Sequence, residues 1–128
     1  MRVRLLTLLG LLMPLGLVHA HHSFSAEFDI GRPVEITGSL TEVEWTNPHA
    51  WLHLEVTGDD GETIQWAVEM LGVIALARAG MTPQTVKPGD VLTVRGFGAR
   101  NGSNTANASA VQRANGEVLW SSGRERNN

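Results

Sequence analysis

Glu42-Val43-Glu44-Trp45-Thr46-Asn47-Pro48-His49-Ala50-Trp51-Leu52-His53-Leu54-Glu55-Val56 reads as two strands joined at Asn47-Pro48. Proline has no amide hydrogen to give a ladder and holds the residue before it extended, so this dipeptide belongs to a turn. Beyond it Leu52, Leu54 and Val56 alternate with Trp51, His53 and Glu55, the period-two pattern of a half-buried strand. His49, Trp51 and His53 are therefore expected on the face away from the apolar side. A turn histidine with an outward tryptophan beside it points to binding without naming a ligand.

On the N-terminal side, Val34, Ile36, Gly38 and Leu40 alternate with polar residues, and the apolar parity then slips to Val43 and Trp45. A bulge absorbs such a slip. The expectation is one long first strand bent near residues 40–43, with Gly38 easing the curl. On the C-terminal side, a strand over about residues 49–57 ends in the hairpin signal Gly58-Asp59-Asp60-Gly61, and Ile64, Trp66 and Val68 mark a third strand. Leu71, Ile74, Leu76 and Ala77 then recur at helical spacing until Gly80, and Thr82-Pro83-Gln84-Thr85 has the cap and first-position proline of a further helical turn. After the turn Lys87-Pro88-Gly89-Asp90, a fourth strand covers about residues 91–99. Asn101-Gly102 and Asn115-Gly116 set off a fifth strand and a short last one.

Three strands, a helix and two strands, led by a long bent strand, is the order of the oligonucleotide/oligosaccharide-binding (OB) barrel. The predicted fold is mainly β, a small five-stranded OB-like barrel over residues 34–120 with one helix between strands 3 and 4. Residues 121–128 are polar and predicted to be a disordered tail.

The 128 residues suffice for one domain. Arg2 and Arg4 before a leucine-rich run, with Val18-His19-Ala20 closing it, predict a signal peptide over residues 1–20. The run is shorter than the roughly 20 residues a membrane span needs. The expectation is an exported protein, periplasmic or secreted, with no stable membrane insertion after processing. Cleavage would remove two arginines and no acid, leaving eight Lys and Arg against thirteen Asp and Glu, a formal charge of −5. That balance, with Lys87 the single lysine, argues against a nucleic-acid partner. The absence of cysteine excludes disulfides and thiolate metal sites.

Cleavage after Ala20 would also make His21 the N-terminus, followed by His22. A terminal amine and the imidazole of the same residue can close a chelate on one metal ion, and such a nitrogen set suits copper(II). The plain alternative is a frayed tail. Residues 21–33 are read as a His-rich segment, pinned to the domain by Phe24 and Phe28. His49 is the candidate second imidazole, its alternative being a turn histidine bonded to nearby backbone. His53 is four strand positions further, roughly 13 Å at ~3.3 Å per residue, too far to share an ion with His49. The candidate metal set is thus His21, His22 and His49.

In an OB barrel the loops between strands 1 and 2 and between strands 4 and 5 flank one binding face. Here those loops carry Asn47 and Asn104, and with Trp51 as a stacking surface they form the candidate ligand-binding set. Trp45 and Trp66 fall in phase with the core. Glu42, Glu44, Glu55 and Glu69 read as solvated strand carboxylates. No cysteine nucleophile, phosphate loop or nucleophile elbow is present, so a binding module is expected before an enzyme.

His21-His22-Ser23-Phe24 with Phe28-Asp29, Glu44-Trp45-Thr46-Asn47-Pro48-His49-Ala50-Trp51, Trp66-Ala67-Val68-Glu69, Lys87-Pro88-Gly89-Asp90 and residues 102–108 together resemble a family of small exported bacterial proteins of unknown function. Met70-Leu71-Gly72-Val73 departs from that pattern, which has a more Gly- and Pro-rich opening to the helix. The resemblance implies export and supplies no activity. Two functions follow from the residues: a copper(II)-binding module using the processed terminus, or a metal-free module that binds a periplasmic protein partner or small polar ligand on the barrel face.

Overall fold

A computed structural model of the chain describes residues 23–123. It contains β1 (Phe28–Glu44), β2 (Trp51–Thr57), β3 (Thr63–Glu69), β4 (Val91–Ala99), β5 (Thr105–Arg113) and β6 (Val118–Ser121). Two short helices accompany them, α1 (Phe24–Glu27) and α2 (Val73–Arg78). The sheet runs β3-β2-β1-β4-β5-β6, and an added parallel pairing of β3 with β5 closes β1, β2, β3, β5 and β4 into a ring. The other pairings are antiparallel. This is the mainly β, five-stranded OB-like arrangement expected from the element order, with β6 added outside the ring.

The alternation that predicted β2 is the one that builds the core. Leu52 and Leu54 are buried with Leu40, Val68, Leu92 and Val94, while Trp51 and His53 are half-buried on the other face. The parity slip in β1 is a register shift against β2, between Leu40 opposite Leu54 and Glu42 opposite His53. It lets one strand serve both β2 and β4. Gly38 leaves room for the β2 backbone, since a Cβ there would clash with the Glu55 carbonyl oxygen.

Three expectations need correction. First, β1 begins at Phe28, so residues 28–33 belong to the sheet and not to a separate segment, and Gly31-Arg32-Pro33 lies within the strand. The turn chemistry there is local: the Asp29 side chain accepts from the Gly31 amide at 2.9 Å, inside a register irregularity between Phe28 and Pro33. Second, α2 is six residues long, and its inward contacts are Leu76 and partly Val73, with Leu71 44% and Ile74 60% exposed. Residues 83–85 form a turn, not a helix. Third, Ser121 ends β6 and the Ser122 amide donates to the Ser109 carbonyl at 2.8 Å, so order continues past the predicted start of the tail. The predicted signal peptide and residues 124–128 lie outside the described residues. Among those described, no helix is long and apolar enough to cross a membrane.

The turn before β4 is fastened by Asp90. Its carboxylate accepts from the Lys87 amide at 3.0 Å and from Arg113 Nη1 at 3.2 Å, while Arg113 Nη2 donates to the Thr85 carbonyl at 2.6 Å. The Lys87 amide first, and Arg113 after it, hold the Asp90 carboxyl below its ordinary pKa of 3.8. A depressed folded-state pKa means that the unfolded chain takes up the proton first as pH falls. The stabilisation is thus complete above 3.8 and disappears as the pH drops through the folded value. Asp90→Asn should therefore unfold at lower urea than the parent at pH 7, and the two midpoints should converge below 3.8. A gap that persists at low pH would show that the carboxylate charge is not what the turn uses.

Candidate functional site

The turn between β1 and β2 carries His49. It contains a cis Asn47–Pro48 bond, and Thr46 Oγ1 donates to the His49 carbonyl at 2.8 Å. The entry to α2 packs against it: the Ala50 amide donates to Leu71, the Met70 amide donates to Ala50, and Gly72 leaves no room for a Cβ beside the Pro48 carbonyl, 2.6 Å away. His49 is thus fixed at its own carbonyl by the Thr46 hydroxyl and followed by Ala50, whose backbone is bonded to residues 70 and 71. Its side chain remains 45% exposed.

Beside it lies Glu69, the last residue of β3, only 7% exposed at its side chain. Its Oε1 is 2.6 Å from His49 Nδ1 and 3.5 Å from Asn107 Nδ2, which donates to it from β5. The parallel pairing that closes the ring sets Glu69 opposite Asn107, and the β2–β3 register sets it opposite Trp51. Burial raises the Glu69 carboxyl above its ordinary pKa of 4.5. His49 opposes that shift, the charge of Glu27 adds to it, and the Asn107 amide opposes it. A carboxylate on Nδ1 selects the imidazole tautomer with its proton there, leaving Nε2 as the ring nitrogen for a metal ion.

His49, Glu69 and Asn107 line a cavity of about 230 Å³ together with Phe24, Glu27 and Phe28. The segment before β1 therefore lies at the same mouth as His49. Its anchors are as the sequence led one to expect: the Phe24 ring lies 5.7 Å from Phe28 and meets Phe97 edge-on at 5.9 Å, and Phe28 is 3% exposed. His21 and His22 lie outside the described residues. Among the described residues, no group of three or more His, Asp or Glu could hold a metal ion by itself.

A second cavity of about 360 Å³ adjoins the first at Glu27 and Phe28, and is lined by Trp51 with Arg100, Asn101, Ser103 and Thr105. Of the expected ligand-binding residues, Trp51 is in this cavity. Asn47 instead packs its Oδ1 toward Gly72, and Asn104 is held through its backbone, its carbonyl accepting from the Ala67 amide at 3.0 Å. His53 forms its own pair, Nε2 to Glu44 Oε1 at 2.6 Å. Trp45 and Trp66 pack against the core, as their phase implied.

Sequence reasoning missed Glu69 and Asn107, because their strands come together only when the ring closes. Glu69 is a buried carboxylate, not the solvated one expected. Its neighbours in the chain, Val68 and Met70, are both buried, so the end of β3 loses the alternation that would mark one face as wet. No curated protein matches the chain. Residues 12–108 match one family model, a span that includes Phe24, His49, Glu69, Arg100 and Asn107, and on that match the chain belongs to the family of unknown function DUF6152.

Proposed function

We propose that the protein is an exported copper(II)-binding module that uses the amine and imidazole of a processed His21 with His49 as the second imidazole and His22 as a further donor. The observation that carries this reading is the 2.6 Å contact between His49 Nδ1 and the buried Glu69. Metal-binding histidines characteristically hold a carboxylate on the nitrogen that does not face the ion. Phe24 lines the same cavity as His49 and is three residues from His21. Three extended residues span about 10 Å, enough for a terminal amine to reach the cavity mouth. Nitrogen donors without thiolate favour copper(II) among the common divalent ions.

The test is a copper titration of the protein beginning at His21, beside a form with one extra N-terminal residue and beside His49→Ala. The authentic terminus should bind tightest, since extension removes the amine chelate. Equal, weak affinity in all three would end the reading. The Trp51 cavity supports a second one, a metal-free module holding a small polar ligand or a protein partner on that face. In that case copper would leave the melting temperature unchanged, whereas binding to the folded state raises it by mass action.

A further inference from the structure

We propose that the Trp51 cavity binds one ring of a neutral sugar, packed by its C–H face on the indole and hydrogen-bonded at its rim to the β4–β5 loop, an inference that rests on the second reading above and not on copper.

Two rows of the sheet build one wall. Trp51 lies opposite Glu69, which lies opposite Asn107, and in the next row His53 lies opposite Ala67, which lies opposite Thr105. Residues directly opposite share a sheet face, so Trp51 and Thr105 belong to the same face beside the ring closure. The Asn104 carbonyl accepts from the Ala67 amide at 3.0 Å, which sets the β4–β5 loop at the edge of that face. α1 contributes Ala26 and Glu27. Arg100 ties that turn down, its amide donating to the Glu27 carbonyl at 2.9 Å and its Nε to the Ser25 carbonyl at 2.7 Å. The space of about 360 Å³ is at the small end of the roughly 300–1,000 Å³ typical of small-molecule sites. It is a size for a single small molecule and not for a folded partner.

The lining selects the chemistry. Trp51 is half-buried, a flat apolar surface that a polar molecule can use only if one of its own faces is apolar. Asn101 Oδ1 accepts from the Ser103 amide at 2.9 Å, so its Nδ2 is the group left to donate. The Ser103 hydroxyl donates to Thr105 Oγ1 at 3.2 Å, which leaves the Ser103 oxygen to accept and the Thr105 hydroxyl to donate. A hydroxyl both donates and accepts, so several on one ring answer such a mixed set. The charges in the wall disfavour the alternatives. A carboxylate drawn by Arg100 would also meet Glu27, and an ammonium drawn by Glu27 would also meet Arg100, each desolvated beside a like charge. A neutral ring with hydroxyls on its edge and C–H groups on its face meets neither penalty.

The experiment is a nuclear magnetic resonance titration of the protein beginning at His21, with a chelator present so that metal plays no part. It follows the backbone amides of residues 101–105 and the indole N–H of Trp51, identified by its loss in Trp51→Phe. The probes are glucose, galactose and N-acetylglucosamine, beside glucuronate as the anionic and glucosamine as the cationic counterpart. At least one neutral sugar should shift these signals saturably and bind about tenfold tighter than both charged ones. Thr105→Val, which keeps the shape and removes the hydroxyl, should weaken that binding about threefold to tenfold. Trp51→Ala should weaken it at least about tenfold, and His53→Ala, whose ring pairs with Glu44, not at all. If Trp51→Ala does not fold, Thr105→Val decides. A charged sugar that binds as tightly as any neutral one overturns the neutral class and leaves the cavity as a ligand site. Binding that survives both Thr105→Val and Trp51→Ala places the sugar elsewhere and overturns the assignment to this cavity. No shift from any of these sugars, at concentrations that would saturate a millimolar site, overturns the proposal together with the small-ligand form of the second reading. None of these outcomes bears on the copper reading, which the copper titration decides.

Discussion

On the copper(II) reading proposed above, Glu69→Gln in the protein beginning at His21 should weaken copper(II) binding by about ten- to a hundredfold, the usual cost of losing a carboxylate that orients a metal-binding histidine. His49→Ala, which would remove the ligand itself, should cost at least as much. The argument runs from packing to affinity. Glu69 is almost wholly enclosed, and its Oε1 is the atom within 2.6 Å of His49 Nδ1. Glutamine keeps the shape and the Asn107 contact but loses the charge. A neutral amide oxygen can still accept from Nδ1, so the ring keeps its direction. What it cannot do is make the imidazole a stronger donor or balance the charge of the ion. The fold should therefore survive, and metal-free melting should change little or even rise, since burial disfavours the charged form of Glu69. Titration and thermal melting of the same two samples decide the matter. Unchanged affinity in Glu69→Gln, with His49→Ala weakened, would mean that the pair is a structural contact and that His49 binds without it.

What could be read from the chain alone was whatever depends on neighbours in sequence. Alternation at Leu52 and Leu54 located β2, and the parity change between Leu40 and Val43 located the bulge, because both express which side of one strand meets the core. The order of elements then led to the ring. The helix was misjudged for a related reason: Leu71 and Ile74 have helical spacing but stay exposed, so periodicity identified a helix and chose the wrong face. The chemistry of Glu69 was out of reach. A carboxylate on the outer phase of a strand is normally wet, and this one is covered only because β3 meets β5 and residues 24–28 fold over the seam. His49 was legible as a turn residue, and its partner was not.

Gly96→Ala should destabilise the protein by about 3 kcal/mol, the upper part of the range for forcing an extra methyl into packed structure. A Cβ at this position would lie 2.1 Å from the Asn107 carbonyl oxygen, 2.9 Å from its carbon and 3.0 Å from Ala108 Cα. All three are backbone atoms of β5, so no side-chain rotation relieves the clash and the two strands must part. They do so at a sensitive place. Gly96 pairs with Ala108 next to the register shift in the β4–β5 ladder, and Asn107 is the residue that pairs with Glu69 across the ring closure. Separation there would pull Asn107 from Glu69 and loosen the cavity that His49 shares. Gly98, two residues along the same strand, is the control. Its added Cβ would meet Arg32 Cδ at 3.1 Å, the middle of a flexible side chain. Gly98→Ala should cost about 1 kcal/mol or less, because the strain of moving a side chain is small and alanine also restricts the unfolded chain. Urea unfolding of the two variants separates the causes. Similar losses would mean that the close approach of the β5 backbone is not what sets the cost at Gly96; a large loss at Gly96 alone places the cost in the contact between β4 and β5.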